Sequence, residues 1–135
     1  MKRFALVCVL GVSTLSFSAV AADALSDCYR KADTAPAVQA CLKKEFDTVK
    51  DHYDDVLDRV MNSARELDRV QRKKVAVKAL NDANKAFDAY VENQCDWVEA
   101  SYGSGSGAGA AALACRVNLY RARAGAMDAQ FLTKN

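Results

Sequence analysis

The chain has 135 residues, 51% of them hydrophobic and 27% charged, with a formal net charge of +2 and five cysteines. That length holds one compact domain, and the composition excludes both a disordered tail and a polytopic membrane protein. The near-neutral balance gives no electrostatic reason to expect nucleic acid as a partner, and the single proline favours long helices.

Lys2 and Arg3 open the chain, an apolar run follows from Phe4 to about Leu15, and Ala19-Val20-Ala21 forms a small-x-small site. This is the layout of a secretory signal peptide over residues 1–21, with the helical domain over 22–135. The apolar run is too short for a stable span of about 20 residues, so no membrane anchor is expected after cleavage. Cys8 lies inside the apolar run rather than at its end, which argues against lipid attachment. Cleavage after Ala21 removes Lys2, Arg3 and Cys8 but no acid, leaving 17 basic and 17 acidic side chains and four cysteines. An even count in an exported chain predicts two disulfides and an oxidising compartment, here the periplasm. Cys28, Cys41, Cys95 and Cys115 contain no C-x-x-C pair, and His52 is the only histidine, so neither a metal nor another cofactor is expected. Four cysteines allow three connectivities. The short connections favour Cys28–Cys41 and Cys95–Cys115.

Asp23 to Lys31 reads as a short helix ended by the Asp33-Thr34-Ala35-Pro36 turn. From there Val38, Leu42, Phe46, Val49, Tyr53, Val56 and Val60 recur in steps of 3 and 4, the stripe of an amphipathic helix. Thr34 or Ala35 precedes its first turn, where Pro36 gives up no needed N–H. Ser63-Ala64-Arg65-Glu66 and Asp68-Arg69-Val70-Gln71 each resemble a capping box, so the next helix starts at either, or the helix runs on. Val77, Leu80, Asn84, Phe87, Val91, Cys95 and Val98 give a second stripe, ended by the Gly103–Gly107 loop. Leu113, Val117, Tyr120, Ala124, Met127 and Phe131 give a third. No segment alternates with period two. The expected fold is an all-α bundle of three main helices plus a short N-terminal one, stapled by two disulfides.

Catalytic chemistry finds little support. His52 lies among Asp51, Tyr53, Asp54 and Asp55 on a helix, where a surface histidine is the simpler reading. With four cysteines oxidised no thiolate nucleophile remains, and the Gly105-x-Gly107-x-x-Ala110 sequence lacks the preceding strand of a dinucleotide site. Acids are plentiful, but nothing places two of them in a cleft. The expectation is that the protein is not an enzyme. Asp47, Asp51, Asp54 and Asp58 step by 4, 3 and 4, almost opposite the apolar stripe, and are expected in solvent. They form either a plain solvated face or a surface that steers a cationic protein partner. Arg65, Arg69, Arg72, Lys73, Lys74 and Lys78 follow as a basic block. Trp97 is expected to pack beneath the glycine-rich loop, itself a candidate insertion element.

The stretch from Ala83 to Tyr90, ending at Cys95, resembles the central signature of the LprI-like lysozyme-inhibitor family, approximately A-Q-R-A-W-x-x-Y-R-x-x-x-C. Ala83, Ala86, Tyr90 and Cys95 match directly, Lys85 and Phe87 are similar replacements, and Asn84 stands where glutamine is usual. Cys115, Leu119, Arg123 and Met127 resemble the closing C-x-x-x-L-T-x-x-R-x-x-x-L, while Cys28, Cys41 and Tyr53 fit the opening elements. Val91, Tyr120 and Val49-Lys50 depart from the usual Arg, Thr and Leu-Asn. The resemblance implies an exported helical protein that binds a protein partner, namely a lysozyme or a related peptidoglycan-cleaving enzyme. The alternative is an immunity or envelope-stress protein that binds another effector.

Overall fold

The computed structural model describes residues 23–132; the leader expected over residues 1–21 lies outside them. Four α-helices follow one another: α1 (Ala24–Lys31), α2 (Ala35–Gln71), α3 (Ala76–Ser101) and α4 (Ala108–Met127), the last continued by a π-helical turn over Asp128–Leu132. There is no strand among the described residues, so the all-α expectation stands.

Asp23 starts α1 by accepting the N–H groups of Leu25 and Ser26. Asn118 of α4 holds the same corner. Its amide donates to Asp23 at 2.7 Å and its carbonyl accepts the Ala24 N–H at 3.1 Å. Burial pushes the Asp23 carboxyl up, but the hydrogen bonds from Asn118, Leu25 and Ser26 together bring it below its ordinary value. Thr34 caps α2 through the Ala37 N–H, with Pro36 in the first turn.

α2 runs for 37 residues, about 55 Å at the α-helical rise. Neither capping-box sequence begins a new helix. α2 passes through Ser63 and ends only at Arg72, which adopts the left-handed conformation (φ 53°, ψ 39°). The Lys73 N–H then closes the end by donating to the Asp68 carbonyl at 3.0 Å. The Asp68 side chain faces forward across the turn and accepts the N–H groups of Val75, Ala76 and Val77 at 3.1, 2.8 and 3.1 Å. It therefore supplies the N-terminal cap that Val75 cannot.

α4 is packed against α1, α2 and α3. Its buried residues, Ala110, Ala111, Ala112, Ala114, Val117, Ala124 and Met127, are mostly small, which lets the neighbouring backbones approach closely. One core cluster joins Cys28, Val38, Leu42 and Val49 to Ala114 and Val117. A second joins Tyr53, Val56 and Val60 to Ala124 and Met127, and Tyr120 packs against both. Cys28–Cys41 ties α1 to α2, and Cys95–Cys115 ties α3 to α4. This is the connectivity favoured by the short connections.

Two inward assignments fail. Trp97 is 65% exposed rather than packed under the loop. Cys95 must face α4 to reach Cys115, and a residue two positions on points about 200° away around the helix. Phe131 is 51% exposed because the π-helical turn changes the register after Met127, so that Leu132 packs against the second cluster instead.

Candidate functional site

The signature residues divide between the interior and the surface. Inside, Tyr53 from α2, Phe87 from α3 and Tyr120 from α4 meet as a ring cluster: Tyr53–Tyr120 at 5.0 Å, Phe87–Tyr120 at 5.5 Å and Tyr53–Phe87 at 5.9 Å. The two contacts made by Tyr120 are edge-to-face, an arrangement that contributes beyond simple burial. Two cations frame it. The Arg123 guanidinium lies 5.0 Å from the Phe87 centroid, and the Lys50 ammonium 5.5 Å from that of Tyr120.

Arg123 also donates to the Tyr53 hydroxyl and, at 3.4 Å, to Asn84, while its Nε is buried without a partner. Tyr120 donates to Asp88. Burial pushes both tyrosine hydroxyls above their ordinary range, and the Asp88 carboxylate adds to it. Neither phenol is thereby prepared to lose a proton. Val91, where the family usually has arginine, is buried and lines the neighbouring groove of about 310 Å³ with Phe46 and Tyr120. The cluster holds three helices together rather than presenting reactive groups.

The acidic stripe of α2 faces solvent, with Asp47, Asp51, Asp54 and Asp58 all exposed. They are not equivalent. Lys43 donates to Asp47 at 3.0 Å and Lys50 to Asp54 at 2.6 Å, each one helical turn away. Asp51 and Asp58 make no ion pair with a described residue. The fifth acid, Asp55, pairs with Arg59 at 3.1 Å. His52 is exposed between them, as expected.

The glycine-rich loop is a compact turn. Gly103 (φ +58°) takes the left-handed conformation that a side chain disfavours, and its N–H bonds the Ala100 carbonyl at 3.0 Å. Gly105 N–H to Tyr102 carbonyl and Ala108 N–H to Gly105 carbonyl complete the crossing into α4. No three His, Cys, Asp or Glu side chains are grouped to hold a metal ion among the described residues. No helix there is long and apolar enough to cross a membrane.

These features define a small helical scaffold, stapled at two junctions, whose sequence-distinctive polar groups serve packing within and are displayed along helices without. Residues 26–127 match the family described as lysozyme inhibitor LprI, a span that includes all four described cysteines, and the chain belongs to that family. No curated protein and no solved structure gives a match.

Proposed function

We propose that the protein is exported to the periplasm and there binds and inhibits a lysozyme or a related peptidoglycan-cleaving enzyme. Family membership over residues 26–127 carries this reading. The two disulfides support it, since they suit an oxidising compartment, as does the leader expected over residues 1–21. A non-catalytic role agrees with a family of inhibitors. Lysozymes are often strongly basic with acidic catalytic clefts, so exposed acids on the inhibitor would speed encounter. In this reading Asp47, Asp51, Asp54 and Asp58 belong to the steering field, with Asp51 and Asp58 contributing most because no lysine neutralises them.

The test is lysis of cell walls by a c-type lysozyme in the presence of the oxidised protein. Slower clearing at stoichiometric amounts is expected. No inhibition at large molar excess, across several lysozyme classes, would reject the reading.

A further inference from the structure

α3 turns an unusual surface to solvent. Ala83, Ala86, Tyr90 and Trp97 follow in steps of 3, 4 and 7, which place them along one side of the helix, and all four are exposed. Tyr90 is 51% and Trp97 65% exposed, with no aromatic stacking partner among the described residues. Three of these four are signature positions of the family, yet they contribute nothing to the core. Large exposed aromatics are the side chains that most often carry binding energy at protein interfaces, because each covers much area at little cost in side-chain entropy.

The charges carried by this half of α3 itself have one sign. From Ala86 to Cys115 the only charged residues are Asp88, Glu92, Asp96 and Glu99. Asp96 is paired with Arg116 at 3.4 Å, whereas Asp88, Glu92 and Glu99 make no ion pair with a described residue. Glu92 and Glu99 come two residues after Tyr90 and Trp97, about 200° around the helix, so these acids project from the side of α3 opposite the aromatics, with Asp88 and Glu92 reaching the groove that Phe46 and Tyr120 share. The opposite end of the same helix pair is cationic. Arg72, Lys73 and Lys74 crowd the α2–α3 turn, where Asp68 is already committed to capping. A basic protein is thus repelled from the turn and drawn to the end of α3 near the glycine-rich loop.

We infer that the C-terminal half of α3 is the surface that docks the cationic enzyme, with Tyr90 and Trp97 as contact anchors and Glu92 and Glu99 as steering charges. This rests on the inhibitor reading above and adds to it the location of the contact. The aromatic side supplies the desolvated contact that limits dissociation, and the acids on the opposite side of the helix act only through the field, at distances up to about a Debye length of 8–10 Å.

The experiment uses the full chain, exported and purified in its oxidised form, against a basic c-type lysozyme. Trp97→Ala and Tyr90→Ala are each expected to raise Kd and the inhibitory concentration at least roughly tenfold. Glu92→Gln with Glu99→Gln should slow association and flatten its salt dependence. Thermal unfolding should be unchanged in all of them, because these side chains are exposed. Trp97 is the only tryptophan, so 5-fluorotryptophan labelling gives a single fluorine resonance that should shift on binding. If the parent protein inhibits while both aromatic variants keep Kd within twofold and the resonance stays put, the location is wrong and the inhibitor reading survives. If the parent neither binds nor inhibits any lysozyme class, the inhibitor reading falls and the docking assignment falls with it.

Discussion

The Asp68 carboxylate of α2 accepts the Ala76 N–H of α3 at 2.8 Å, so one helix caps the next across an intervening turn. That N–H, with those of Val77 and Val75, holds the Asp68 carboxyl below the usual carboxylate range despite slight desolvation. A depressed carboxyl stabilises the fold fully above its unfolded value of about 3.9 and loses that contribution as pH falls through the lower folded value. Asp68→Ala should therefore lower Tm at pH 7, and the gap to the parent should narrow at an acid pH below the unfolded value of about 3.9. Melts followed by circular dichroism at both pH values measure it; an equal gap at both would show that the charge is irrelevant.

The disulfides close chain segments with sequence separations of 13 and 20. In the chain-entropy account each limits the unfolded state by roughly 3 kcal/mol. Replacing either pair by serine should cost about that much in urea-induced unfolding. The midpoint should fall, and a loss under about 1 kcal/mol would contradict the entropic account.

Tyr53→Phe keeps the ring cluster and removes the hydroxyl that Arg123 reaches. Because the Arg123 Nε is already without a partner, a second unmet donor should cost about 1–2 kcal/mol. Tyr53→Ala also opens a cavity between the clusters and should cost about 3–5 kcal/mol. Equal losses for the two substitutions would show that the hydroxyl dominates and the ring does not.

Gly103 and Gly125 respond oppositely to alanine. At Gly103 the positive φ penalises a side chain by about 1 kcal/mol, although nothing lies within 4 Å of the added methyl. Gly125 is inside α4, exposed and equally open, so Gly125→Ala should add about 0.5–1 kcal/mol. Chemical denaturation of both variants gives the two signs directly.

Asp51→Asn with Asp58→Asn should slow association with a basic lysozyme about threefold at low salt and have little effect at high salt. Asp47→Asn with Asp54→Asn should do less, because Lys43 and Lys50 already oppose those charges. Stopped-flow association rates over a salt series compare the pairs, and equal slopes would remove any special role for Asp51 and Asp58.

The apolar spacing from Val38 to Val60 and from Val77 to Val98 determined two of the long helices, since a side chain recurring every three or four residues stays on one helical face. Four cysteines beside two short connections favoured one of three pairings, the one the structure has. The end of α2 was not readable, because the cap of α3 comes from Asp68, whose side chain acts across the turn rather than at the residue before the helix. Trp97 was hydrophobic enough for the core, but the reach of Cys95 to Cys115 decided which side of α3 faces inward. The sequence alone determined the helical faces and the resemblance to the family, and it favoured one pairing of the cysteines without deciding it. Tertiary structure alone decided which aromatics and acids remain in solvent, because exposure depends on where neighbouring helices lie and no local period encodes that.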